Sequence, residues 1–177
     1  SIKLLGVSGS LRKASTNSAL VRAAADVMGQ GVAFTFADLD LPLYNGDVED
    51  AGYPDSVEVF VDQIRTADAI VISTPEYNKN ISGVLKNALD WQSRFSPAPM
   101  KNKPVAILSA TAGRSGGELT QFSLRHCLTP FGPRILQQPQ LHVGSNFKDT
   151  VFADGELVDE KAREKLAEIM EALRSTV

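Results

Sequence analysis

Residues 1–17 read SIKLLGVSGSLRKASTN, an apolar run that stops at glycine and serine and then turns to hydroxyls, two cations and an asparagine. A stretch that is apolar at nearly every position from Ile2 to Val7 suits a parallel strand covered on both faces; a strand with one wet face would alternate. Its single lysine and short apolar run do not make a secretory leader. The polar segment empties directly into a helical pattern over 17–28. There Leu20, Val21, Ala24, Val27 and Met28 share one side, with Gly29 and Gly31 as stops. Strand, polar turn and helix form the opening unit.

Four further segments read as strands: 32–39 (VAFTFADL), 69–74 (AIVIST), 104–110 (PVAILSA) and 134–143 (RILQQPQLHV). The third and fourth strands are as apolar as the first. The second alternates, and the fifth carries polar residues and a proline, so both are expected at the edges. Helical spacing recurs over 55–67 (Val57, Phe60, Val61, Ile64), 82–95 (Val84, Leu85, Ala88, Leu89, Gln92), 116–128 (Leu119, Phe122, Cys127) and 159–173 (Ala162, Leu166, Ile169, Met170, Leu173). This alternation predicts an α/β fold, a doubly wound five-stranded parallel sheet with strand order 2-1-3-4-5. No repeat or linker interrupts residues 1–177, so a single domain is expected. The longest irregular piece is 40–54 (DLPLYNGDVEDAGYP).

The 177 residues, 43% of them hydrophobic, are enough to bury about 70% of the unfolded surface without staples. With 18 Lys+Arg against 21 Asp+Glu the net charge is −3, and no basic face for nucleic acid is expected. No apolar run approaches the roughly 18 residues of a membrane span. Cys127 is the one cysteine, and only His126 and His142 stand beside it, so neither an internal disulfide nor a metal cluster can be built. His126 and Cys127 point about 100° apart on a helix and form no dyad; Cys127 reads as a small core residue. The composition is that of a cytoplasmic protein.

Three polar loops fall at strand carboxyl ends. After the first strand come Ser8 to Asn17, where a helix start offers unpaired N–H groups and a positive dipole end. Ser10, Ser15, Thr16 and Asn17 add side-chain donors, and Arg12 a charged fork, so the expected occupant is a terminal phosphate. A plainer reading, with Asn17 as a cap and Arg12 solvated, uses one polar residue where six are present. The segment GVSGS lacks the lysine of a P-loop, and G-x-G-x-x-G is absent with its ribose-binding acid in the right context. After the third strand comes Pro75-Glu76-Tyr77-Asn78, with an aromatic edge at Tyr77; a simple proline turn capped at Ser82 is the competing reading. After the fourth come Gly113, Gly116 and Gly117, which let backbone approach a flat ring. In this strand order the first and third strands are neighbours at the switch point where ligands bind.

Taken together, GSLRKASTN at 9–17, PEYN at 75–78, GVLKNALDW at 83–91 and the glycines of 113–117 resemble the NADPH-dependent FMN reductase family of flavodoxin-like proteins, which includes quinone, chromate, azo-dye and ferric reductases. The resemblance spans nearly the whole chain. It implies that Ser10, Arg12, Ser15, Thr16 and Asn17 hold the FMN phosphate. Pro75, Glu76, Tyr77 and Asn78 would line the isoalloxazine, with Gly113 at its polar end. It also implies NAD(P)H as co-substrate, small-molecule electron acceptors, and a homodimer or tetramer.

The flavin carries the redox chemistry, so no protein catalytic residue is expected. With no second nucleotide domain, NAD(P)H and the acceptor are expected to use one exposed flavin face in turn, a ping-pong scheme. The alternative is a flavodoxin-type single-electron carrier that does not itself oxidise NAD(P)H; such carriers are more acidic than −3. Arg94 is read either as a contact for anionic substrate or as a cation at a helix end. Trp91 is expected in core or interface packing, Glu76 as a structural hydrogen-bonding residue, and 40–54 with 94–100 (RFSPAPM) as partner surfaces.

Overall fold

The computed structural model describes all residues, Ser1 to Val177. Its parallel strands are β1 (Ile2–Ser8), β2 (Val32–Phe36), β3 (Ala69–Thr74), β4 (Pro104–Ala110) and β5 (Arg134–Ile135), in the order β2-β1-β3-β4-β5. The expected topology and both edge assignments hold. β2 is indeed the wettest of the long strands, with Ala33, Phe34 and Thr35 exposed, while every residue of β3 and β4 is buried.

The helices α1 (Thr16–Met28), α2 (Gly46–Asp50), α3 (Asp55–Thr66), α4 (Gly83–Gln92), α5 (Glu118–Leu128) and α6 (Glu160–Arg174) complete the alternation. Successive strand residues point to opposite faces, and the core divides accordingly. Leu5, Val7, Ile70, Ile72 and Ile107 pack under α3, α4 and α5 against Phe60, Ile64, Leu85 and Leu124. Leu4, Val71 and Leu108 pack on the other side against Leu20 and Val21 of α1 and Leu166 and Ile169 of α6. Side-chain caps fix where helices start. Ser15 accepts the Ser18 N–H at 3.3 Å, Ser82 the Leu85 N–H at 3.2 Å, and Asp159 the Ala162 N–H at 2.8 Å.

Two segments depart from the sequence expectation. The fifth strand over 134–143 is broken. Arg134–Ile135 pairs with the start of β4, and β6 (His142–Val143) pairs with its end at Ser109 and Ala110. Between them Pro139 offers no N–H to a ladder. The 40–54 segment is not wholly irregular: Asn45 accepts the Asp47 N–H at 2.9 Å and starts α2. That segment is pinned to α4, whose Trp91 indole donates to the Pro42 carbonyl at 2.7 Å and whose Asn87 donates to the same oxygen at 3.0 Å. Trp91 is fully buried, as expected of a core residue. After β6 the chain forms a loop and a small antiparallel hairpin, β7 (Phe152–Ala153) with β8 (Glu156–Leu157), before α6.

Candidate functional site

The carboxyl ends of β1, β3 and β4 open on a cavity of about 490 Å³, within the usual range for small-molecule sites. From the first loop Ser10, Arg12, Ser15, Thr16 and Asn17 line it; from the second, Pro75, Glu76 and Tyr77. The sequence separates these groups by more than 55 positions, and the β1–β3 pairing brings them together. Asn78 and Gly113 do not line it. Asn78 and Lys79, with φ of 54° and 68°, form the two-residue turn that closes the Tyr77–Asn80 pair. The Gly113 carbonyl organises its own loop instead, accepting from the Gly116 and Ser145 N–H groups at 3.3 Å each.

Close approach of the first two loops depends on Gly9. A Cβ there would lie 2.8 Å from Pro75 Cδ, and the Gly9 carbonyl accepts the Ser82 hydroxyl at 2.6 Å. In the third loop Gly116 has φ of +65°, and a Cβ would meet the His142 backbone at 2.5 Å. Both loops can be this tight only with glycine.

The donors left without a partner gather at the start of α1. The N–H groups of Thr16 and Asn17 have no acceptor within the protein, whereas Ser18 and Ala19 donate to the Ser15 hydroxyl and carbonyl. Ser10 and Ser15 accept through their oxygens, leaving each hydroxyl proton free to donate outward. Arg12 is exposed and has no carboxylate within ion-pair distance. Unpaired amides, hydroxyls and a free guanidinium converge on one rim. This donor set fits a phosphate, and the flat Pro75–Tyr77 wall beside it fits an aromatic ring system, so the cavity suits FMN.

Asn17 does something the sequence did not suggest. Its Oδ1 accepts the Ala110 N–H at 3.0 Å and the Ser73 hydroxyl at 2.8 Å, and its Nδ2 donates to the Ala110 carbonyl at 3.0 Å. The side chain thus ties α1 to β3 and β4, and its backbone N–H has no acceptor within the protein. Glu76 likewise has a structural task, as expected, because its carboxylate accepts the Thr120 N–H at 3.0 Å at the start of α5.

Thr111 and Ala112 line the cavity from the expected third loop, just after Ala110 at the end of β4. Sequence reading missed a fourth wall: Asn146 and Phe147 also line the cavity, and the Asn146 amide donates to the Thr16 hydroxyl at 2.7 Å across 130 positions. No local pattern marks that loop; its one clue was an exposed-looking Asn-Phe pair after the last strand. Phe147 is 71% exposed at the mouth of the cavity.

Arg94 lies away from this cavity. Its guanidinium pairs with Glu49 at 3.0 Å, and Glu49 also accepts the Tyr44 hydroxyl at 2.6 Å and the Tyr53 hydroxyl at 3.2 Å. The Tyr44 hydrogen bond above all, with help from Arg94 and Tyr53, holds the Glu49 carboxyl below its usual range. The same bond raises the Tyr44 phenol. The 40–54 and 94–100 segments therefore pack on each other, Tyr53 lying 4.3 Å from Phe95 between ring centroids, and Met100 is core. Neither histidine reaches the cavity. His126 borders a groove between α4 and α5 with Cys127, and His142 is half-buried on β6, its pKa lowered chiefly by burial.

A family model described as NADPH-dependent FMN reductase matches residues 2–148. An NAD(P)H-dependent FMN reductase of Pseudomonas aeruginosa is 44% identical over 98% of this chain and 94% of its own length. A quinone reductase of Escherichia coli is 35% identical over 90% of this chain and 86% of its own. Among solved structures, the NAD(P)H:acceptor oxidoreductase FerB of Paracoccus denitrificans superposes with a TM-score of 0.89 at 31% identity, covering 99% of this chain and 96% of that one.

Proposed function

This chain belongs to the NADPH-dependent FMN reductase family, and from that premise we propose how its cavity serves the reaction. The protein is an FMN-dependent NAD(P)H oxidoreductase. FMN held there would supply the redox chemistry, hydride acceptance from NAD(P)H and electron delivery to a quinone or similar acceptor. The α1 start, with the Thr16 and Asn17 amides, the Ser10, Ser15 and Thr16 hydroxyls and Arg12, binds the phosphate. Pro75, Glu76 and Tyr77 would line the isoalloxazine, with Asn78 holding the turn next to Tyr77 and Thr111 and Ala112 completing the wall from the third loop. Asn17 keeps the three loops at fixed spacing through β3 and β4.

One observation carries this reading: a single cavity unites unpaired helix-start donors with a flat aromatic-lined wall at the β1–β3 switch point. No side chain there forms a nucleophile–base pair, so the protein's part is to bind and orient. The cavity is broad and open to solvent, which suits one place used in turn by nucleotide and acceptor. We further assign the chain to a single domain, to the cytoplasm, and to a homodimer or tetramer. The face built from 40–54 and 94–100 is the partner surface, where Leu43 is 81% exposed.

Mixing the FMN-loaded protein with NADPH in the absence of oxygen tests the activity. Prompt loss of the yellow flavin absorbance is expected, restored by adding a quinone. A chromophore that NADPH leaves unchanged would overturn the reading and favour an electron carrier.

A further inference from the structure

After β6 the chain returns over the main cavity as residues 144–147. Backbone hydrogen bonds lace that return to the third loop. The Thr111 N–H donates to the Val143 carbonyl at 2.9 Å, the Ser145 N–H to Gly113 at 3.3 Å and the Asn146 N–H to Thr111 at 3.0 Å. Gly144 lies so close that a Cβ would stand 2.6 Å from the Arg114 carbonyl oxygen. Asn146 is thereby held in place, and its amide reaches the hydroxyl of Thr16, the first residue of α1, at 2.7 Å. No other hydrogen bond joins 144–147 to the loop before α1. Thr16 and Asn146 line the main cavity and also a depression of about 230 Å³ beyond it. Their bridge therefore stands between the two spaces and closes the cavity at the α1 end.

The three hydroxyls at that end share one arrangement. Ser10 accepts from the Arg12 N–H and Ser15 from the Ser18 N–H, each at 3.3 Å and each a backbone donor of the same segment. Thr16 accepts from Asn146, 130 positions away. None of the three donates to an acceptor within the protein. A hydroxyl has one proton, so a hydrogen bond accepted on one side of the oxygen leaves that proton to point elsewhere. The accepted bond also polarises the O–H and makes it a better donor. For Ser10 and Ser15 the local backbone does this. For Thr16 only the distant amide does.

We propose that Asn146 is a positioning residue for the flavin phosphate: by donating to Thr16 it presents that hydroxyl's proton to the cavity as a donor. The proposal rests on the flavin reading above and adds to it a residue from outside the three loops. Titration of the flavin-free full chain with FMN and with riboflavin, read by flavin fluorescence, tests it. Asn146→Ala lowers FMN affinity about fivefold, the worth of one hydrogen bond, and leaves riboflavin affinity unchanged. Asn146→Asp keeps the bridge but reverses it, because a carboxylate can only accept the Thr16 proton. FMN affinity therefore falls further in Asn146→Asp than in Asn146→Ala. A bracing role alone would rank the two variants the other way, and that order would overturn the proposal. Thr16→Val lowers FMN affinity by itself, and adding Asn146→Ala to it costs nothing more, since the amide then has no hydroxyl to orient. Additive losses would overturn the proposal by giving Asn146 a contact of its own. Equal losses of FMN and riboflavin would reduce Asn146 to a loop brace, and unchanged FMN binding would make the bridge incidental; either result overturns the proposal. A wild type that binds neither flavin would overturn the flavin reading itself, and this proposal with it, an outcome distinct from all the others.

Discussion

Replacing Arg12 with alanine removes the only cation that lines the main cavity. A charge-assisted contact is worth about 1.5–3 kcal/mol, so FMN affinity falls about tenfold or more, read by flavin fluorescence during titration. Retained affinity would show that the backbone amides of Thr16 and Asn17 suffice. Asn17→Ala probes the other duty at that helix start. It leaves the Ala110 N–H and carbonyl and the Ser73 hydroxyl without their partner inside the core. Stability should drop by about 3 kcal/mol in urea unfolding, with FMN affinity lowered as well because the loops lose their spacing. A variant as stable as the wild type would mean that water replaces the amide. The crowding of donors over residues 10–17 was legible because hydroxyls, a cation and a helix start share one short segment. The clamp made by Asn17 was not, since its partners lie 56 and 93 positions away and no local pattern encodes them.

At the scale of elements, the long strands and most helices were readable because burial on both faces leaves an apolar run and burial on one face leaves a helical stripe; in α5 the stripe misled, since Leu119 and Phe122 are exposed and Thr120, Gln121, Leu124 and Leu128 are buried. The fifth strand was misjudged because its ends pair and its middle does not, which composition blurs. The short α2 escaped because it has no buried stripe of its own: Asn45 caps it, and its Glu49 is held by Tyr44, Tyr53 and Arg94. That element yields a pH prediction. Glu49 is held below the usual carboxylate range by Tyr44 first, so its ionised form stabilises the clip above that range, and the stabilisation is lost as pH falls through the lowered value. Tyr44 is raised by the same bond, so its contribution is present below the ordinary phenol value and lost only as pH rises through the raised one. The clip is thus intact across neutral pH and opens first in acid. Trp91, the one tryptophan, lies 5.0 Å from Tyr44 between ring centres and reports the event by fluorescence. Glu49→Gln should remove the acid transition; an unchanged profile would show that the clip does not respond to this carboxyl.

For the whole molecule, the doubly wound order places the polar loops that follow β1, β3 and β4 on one edge, and the main cavity is a single space there. The strand order was readable from which runs were fully apolar, but the fourth wall from Asn146 and Phe147 was not, because it depends on the chain returning after β6. That geometry has a kinetic consequence. Tyr77 and Phe147 are both exposed at the mouth of one cavity, so nucleotide and acceptor compete for the same access. If both must contact the same flavin face, neither can bind while the other is in place. Double-reciprocal plots of rate against NADPH at several quinone concentrations should therefore be parallel, and high quinone should inhibit competitively against NADPH. Phe147→Ala should widen the mouth, lowering KM for a bulky quinone more than for a small one. Intersecting lines would require a complex holding nucleotide and acceptor together. A second copy of the chain could then complete the site. Sedimentation of the FMN-loaded protein, run on the same sample, decides between these: a monomer with intersecting lines would overturn both the shared-face scheme and the partner surface at 40–54 and 94–100.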